Sequence, residues 1–263
     1  MEKRKYLPSF KNPFFARRFF FLSIAQSFVS LLLGGEICLR CSRRTLRIPL
    51  CPSCLPLLGA SDKVQSCIRC GRELISEISV CTRCRDESAL KSLEKSFSIH
   101  SYQLWKKALL YAWKIDDKRG LSPFFAEIFY KKLKKLEEAV GFPLAVVPVP
   151  PRKDKIRQRG WDQIDELCFY LKNGWGVKIL PLLERLSRIQ QKKLDRTQRI
   201  EGMATSYRLK DEKKLRKIAP RLPEAVVLAD DVLTTGATIE ACGRELKKAG
   251  IQNVFSITLF IVD

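Results

Sequence analysis

Apolar positions recur at three- and four-residue spacing from Leu104 to Trp113, Ser122 to Leu136, Asp162 to Leu171 and Ile239 to Lys248, a rhythm that predicts four helices. Between them lie short apolar runs at Leu144–Val149, Val226–Ala229 and Val254–Val262, each short enough to be a buried strand. Gly250 suits the stop of the last helix, Lys247 and Lys248 complement its dipole, and Pro220–Pro223 reads as a loop entering the strand at Val226. Strands alternating with helices predict an α/β fold, a parallel sheet flanked by helices, over residues 95–263. Upstream the pattern changes twice. Residues 1–36 form a basic arm with an apolar stretch, and residues 37–85 form a small module dominated by cysteine.

The arm carries Lys3, Arg4, Lys5, Lys11, Arg17 and Arg18 ahead of an apolar stretch from Phe19 to Leu33. Ser23, Gln26, Ser27 and Ser30 recur at helical spacing within it, and the stretch falls short of the ~20 apolar residues that a membrane span needs. The expected structure is an amphipathic helix packed on the body, with peripheral membrane contact as the alternative. Thiols directly downstream argue against export and point to the cytoplasm.

Eight of the ten cysteines precede residue 85, as Cys38/Cys41, Cys51/Cys54, Cys67/Cys70 and Cys81/Cys84. Four CxxC knuckles at near-even spacing indicate two structural Zn²⁺ ions, each closed by four thiolates, a double zinc ribbon. Sequential pairing is the simplest arrangement. An interleaved one is compatible with the spacing, and an iron–sulfur cluster is the competing occupant. Cys70-Gly71 supplies a small residue where a knuckle turns tightly. Cys168 and Cys242 read as core residues, and His100, the sole histidine, as structural or superficial. Histidine-dependent nucleophilic catalysis has no foundation here.

Lys and Arg total 49 against 28 Asp and Glu, a formal +21 that two zinc–thiolate centres would lower to about +17. Such an excess expects an anionic partner: nucleic acid, phosphorylated metabolite or membrane surface. From Arg152 to Arg221 there are 20 Lys/Arg and 9 Asp/Glu. Trp161, Tyr170, Trp175 and Tyr207 are scattered through that segment, so direct readout of base sequence is not supported.

The strand at Val226–Ala229 ends in Asp230 and Asp231. Thr234, Thr235, Gly236, Ala237 and Thr238 follow, and a helix begins at once. A hydroxyl-rich turn at a helix N-terminus offers free N–H groups and a positive dipole end to a phosphate, while two carboxylates just upstream can accept from ribose hydroxyls. The run V-V-L-A-D-D-V-L-T-T-G-A-T resembles the phosphoribosyl-pyrophosphate signature of type I phosphoribosyltransferases.

From about Leu31 onward the chain resembles the ComF family, competence-associated phosphoribosyltransferase-like proteins. The resemblance rests on the four knuckles, V-P-V-P at Val147–Pro150, Arg159-Gly160 with Gln163, Gln191 and Leu194, Arg199, Tyr207, the Asp-Asp/Thr-Thr-Gly site, and Lys114. The family usually reads R-G-F-N-Q where Trp161 and Asp162 stand here, and asparagine is common at Gly202. The resemblance implies a type I phosphoribosyltransferase-like fold. It assigns ribose to Asp230 and Asp231 and the 5′-phosphate to Thr234–Thr238. Val149 and Pro150 would form the pyrophosphate loop, with Arg152 or Arg159 neutralising charge and Mg²⁺ arriving on the substrate phosphates. It further implies single-stranded DNA and DNA-uptake proteins as partners. A metabolic phosphoribosyltransferase acting on a nucleobase and a ligand sensor without turnover are the alternatives, so enzymatic turnover is open.

Overall fold

The computed structural model describes residues 8–32, 34–46, 48–58, 65–74, 76–86, 90–102, 104–151, 156, 159–186 and 206–262. Its centre is a four-stranded, wholly parallel sheet built from β1 (Lys95–Ser101), β2 (Ala145–Pro148), β5 (Ala225–Leu233) and β6 (Asn253–Ile261), in the order β1-β6-β5-β2. Helices α2 (Leu104–Lys114), α3 (Ser122–Val140), α4 (Gln163–Trp175) and α6 (Ala237–Lys248) flank it. A two-stranded antiparallel hairpin, β3 (Leu183–Arg185) with β4 (Tyr207–Leu209), stands apart, and α5 (Glu212–Ile218) follows it.

The apolar strand residues serve two cores, because alternate side chains of a strand point to opposite faces. Val227, Ala229 and Ile257 join Trp113, Phe125, Phe129 and Leu171 on one face. Val226, Leu228 and Val254 join Ile239, Cys242 and Leu246 on the other. Burying each such large side chain is worth about 1.5–3 kcal/mol, which is why a sheet covered on both sides reads as continuous apolar runs.

Local chemistry sets the helix ends. Asp162 caps α4 by accepting from the N–H groups of Ile164 (2.9 Å) and Asp165 (3.1 Å), and Gly176 closes it in a left-handed turn. Elsewhere the structure departs from the sequence expectation. Strand β5 does not stop at Ala229 but continues through both acids to Leu233, since Asp230 still pairs opposite Thr258 and Val232 opposite Phe260. Strand β1 was not foreseen. Its Ser96 receives a hydrogen bond from Ser256 (2.7 Å) and its Ser98 shares one with Thr258 (2.9 Å), so buried hydroxyls satisfy one another where apolar residues would be expected.

Helix α1 (Pro13–Leu32) starts earlier than expected, because Asn12 accepts from the Phe15 N–H (3.2 Å) and Pro13 is tolerated in a first turn. It lies against α4. The N–H groups of Lys11 and Asn12 donate to the Gly174 carbonyl, and the Phe10 ring packs 4.8 Å from that of Trp175. Phe15 and Phe19 meet Tyr170 edge-on. Phe14, Phe21 and Ile24 stay exposed. Ser23 is buried, whereas the side chains of Gln26, Ser27 and Ser30 lie outside the described residues. No helix among the described residues is long and apolar enough to cross a membrane.

Candidate functional site

A cleft of about 240 Å³ opens at the carboxyl ends of β5 and β2, where an open parallel sheet presents its loops to ligands. Val149 and Pro150 form one wall and Asp230, Asp231, Thr234 and Thr238 another. The segment from Arg159 to Ile164 closes the rim. Motifs separated by more than 80 residues in sequence therefore line one cavity, because β5 and β2 pair in parallel with Pro148 beside Ala229.

The floor of the cleft is an ion-pair network. Asp231 accepts from the Lys114 ammonium and from Gln163 Nε2 (2.6 Å), and it is 6% exposed. Arg159 Nη1 donates to the carbonyl of Lys114 (2.6 Å), where a cation also meets the negative end of α2. Taking away one member of such a pair leaves a charge uncompensated, a loss of about 3–5 kcal/mol when both are buried and less here, where Lys114 is partly solvated. Asp230 accepts from the Asp231 N–H (2.8 Å). Its half-buried carboxyl lines the cleft, and desolvation, reinforced by the neighbouring Asp231, raises its pKa well above the usual carboxylate range. Asp162, half-buried in the same cleft, is pushed up to about 6, chiefly by desolvation.

The turn after β5 exposes Thr234, Thr235 and Ala237. Gly236 caps α6 with φ of 86°, a left-handed conformation that only glycine adopts without strain. No side chain caps α6 at Gly236; the nearest is the Thr235 hydroxyl, which faces the Ala237 N–H at 3.4 Å, so the helix start remains open to an anion. One rim residue is fixed from below. Arg119 lies 5.1 Å over the Trp161 ring and pairs with Glu166, which also accepts from Ser122 Oγ (2.5 Å).

The eight knuckle cysteines form two groups of four, Cys38/Cys41/Cys51/Cys54 and Cys67/Cys70/Cys81/Cys84, with the thiol sulfurs of each group within 4.8 Å of one another. Pairing is sequential. Zn–S bonds of about 2.3 Å place tetrahedral sulfurs ~3.8 Å apart. The Cys41–Cys51 and Cys70–Cys81 separations, 3.5 and 3.7 Å, fit such a centre. Gly71 turns with φ of 75°, and a Cβ there would stand 2.5 Å from the Ser98 nitrogen, so the knuckle is pressed against β1. The second group also reaches the turn after β5. Arg83 donates to the Thr234 carbonyl (3.2 Å), and Cys70, Cys84, Thr234 and Gly236 share a smaller pocket.

No family model matches the chain. Two curated proteins resemble it. Competence protein ComFC of Streptococcus pneumoniae is 27% identical over 162 residues, 62% of this chain and 66% of that protein. Competence protein F of Haemophilus influenzae is 25% identical over 205 residues, 74% of this chain and 86% of that protein. Both matches support the ComF family for this chain. Of the residues that carry the ComF resemblance, Lys114 and Gln163 donate to Asp231, and Arg159 donates to the Lys114 carbonyl.

The predicted ligand residues Asp230, Asp231, Thr234, Thr238, Val149, Pro150 and Arg159 line the main cleft, and Thr235 and Gly236 line the smaller pocket behind the turn. Arg152, Gln191, Leu194, Arg199 and Gly202 lie outside the described residues. Sequence reading missed Arg83 and Arg185. Arg83 lies inside the Cys81/Cys84 knuckle but is not one of its thiols, Arg185 lies in no recognised motif, and only the approach of distant elements brings them to the turn and the cleft.

Proposed function

We propose that this ComF-family chain binds phosphoribosyl pyrophosphate and single-stranded DNA and acts in DNA uptake. The carrying observation is a single cleft holding the paired acids, the threonine turn at the start of α6, and the Val149–Pro150 wall. Asp230 and Asp231 would take the ribose hydroxyls. The Thr234–Thr238 turn would take the 5′-phosphate, and the Val149–Pro150 loop with Arg159 the pyrophosphate. Arg152 is assigned there on the resemblance alone. Asp231 already serves Lys114 and Gln163, so the protein offers Mg²⁺ few free carboxylate oxygens, which fits an ion held mainly by substrate phosphates. Mg²⁺ would supply charge neutralisation on the pyrophosphate. The two four-cysteine groups would hold structural Zn²⁺, closed to catalysis.

The DNA-uptake role draws on the names of the two relatives and on the basic excess of the chain. DNA-uptake proteins would be its neighbours at the cytoplasmic side of the membrane, with exposed Phe14, Phe21 and Ile24 and the adjacent Arg17 and Arg18 as the surface for peripheral contact. Calorimetric titration with phosphoribosyl pyrophosphate and Mg²⁺ tests the cleft. Saturable binding, lost in Asp231→Ala, is expected, and absence of heat with the parent chain overturns the reading. Pyrophosphate release with a nucleobase would move the assignment to a metabolic phosphoribosyltransferase.

A further inference from the structure

Arg185 is a cleft cation that the recognised motifs do not contain. It ends β3, stands opposite Tyr207 across the hairpin, and its guanidinium lies 5.1 Å from the centre of the Tyr207 ring. Glu184, its neighbour, points to the other side of the strand and is taken by Arg208 (2.7 Å). Among the described residues no carboxylate pairs with Arg185. The other two described cations of the cleft are engaged: Lys114 by Asp231, and Arg159 by the Lys114 carbonyl.

Tyr207 fixes where Arg185 acts. It is 4% exposed and packs in the same core as Ile239 and Cys242 of α6. Arg185 and Tyr207 line the cleft together with Thr234 and Thr238, on the side where α6 begins. Donors of that turn, its threonine hydroxyls and backbone N–H groups, are all neutral.

We propose that Arg185 is the charged ligand of the sugar 5′-phosphate, held flat on the Tyr207 ring so that its planar fork can meet two phosphate oxygens. Cation–π contact orients the guanidinium without neutralising it, and bidentate pairing suits arginine far better than lysine. The assignment rests on the ribose-phosphate reading of the cleft, and the test separates the two.

Ribose 5-phosphate and phosphoribosyl pyrophosphate with Mg²⁺ are titrated into the full zinc-loaded chain and into Arg185→Gln and Arg185→Lys, with melting temperatures as the folding control. Arg185→Gln is expected to weaken both ligands by about tenfold or more and by the same factor. Arg185→Lys should recover part of that loss, and its folding is the less endangered of the two. Unchanged affinity in both variants overturns the assignment while leaving the cleft reading standing. Loss confined to phosphoribosyl pyrophosphate overturns it too, because Arg185 would then serve the pyrophosphate. A parent chain that binds neither ligand sinks both readings.

Discussion

Two titratable residues, Asp162 half-buried and His100 buried, show how single side chains tilt the stability of this fold with pH. Asp162 titrates at about 6 in the folded chain against 3.8 unfolded, so the native state holds its proton more tightly. Stability therefore falls as pH rises from 3.8 to about 6, and the penalty is fully present above that. Replacing Asp162 by asparagine keeps the cap and removes the penalty. Asp162→Asn should gain on the parent by on the order of 1–3 kcal/mol between acidic and neutral pH, read from urea unfolding. His100 works the opposite way. It is 1% exposed, neither ring nitrogen has a hydrogen-bond partner among the described residues, and burial, helped by Lys106, lowers its pKa from 6.5 to about 3. The parent loses stability as pH falls below 6.5, and His100→Leu should flatten that acid limb. Equal pH profiles for parent and variants would count against both arguments. The expectation that His100 is structural fits its burial; its unpartnered nitrogens had no sequence signal.

At the scale of elements, the second four-cysteine group is a buttress for the turn that follows β5. Gly71 is pressed against β1, Arg72 donates to the Val262 carbonyl (3.1 Å), and Arg83 donates to the Thr234 carbonyl. Two of these contacts fall just past the carboxyl ends of β6 and β5, the second of them at the cleft. Stripping metal from the knuckles should release them together, raising amide hydrogen exchange across residues 234–238. Arg83→Ala, which leaves all eight thiols in place, should reproduce part of the effect. Loss of one exposed hydrogen bond predicts a few-fold increase. Exchange unaltered by chelation would show that the turn holds itself. None of this was legible in the knuckle spacing. That spacing reports which atoms can close around an ion, and says nothing of what the back of the module touches.

For the whole molecule, the governing quantity is charge. An excess of 21 positive charges over 263 residues gives a binding term for polyanions that depends on counterion release. Affinity for a single-stranded oligonucleotide should fall steeply between low and physiological salt, by about tenfold or more if only a few phosphates are engaged. Fluorescence anisotropy across a salt series checks it. Flat affinity across that series, or no binding at low salt, removes DNA from the proposed role.

The chain's own pattern determined its elements and its chemistry. Apolar runs such as Val226–Ala229 announce buried strands because a parallel sheet hides both faces. Paired thiols announce two four-sulfur groups of the kind that tetrahedral metal closure demands, and T-T-G-A-T announces a helix start whose N–H groups are left free. Tertiary structure decided what those pieces do together. Parallel pairing of β5 with β2 set Val149 and Pro150 across from Asp230, packing of α2 brought Lys114 to Asp231, and the hairpin turned Arg185 toward α6. Such contacts join residues tens to more than a hundred positions apart. Periodicity and spacing record only near neighbours along the chain, so burial and strand pairing alone could fix them.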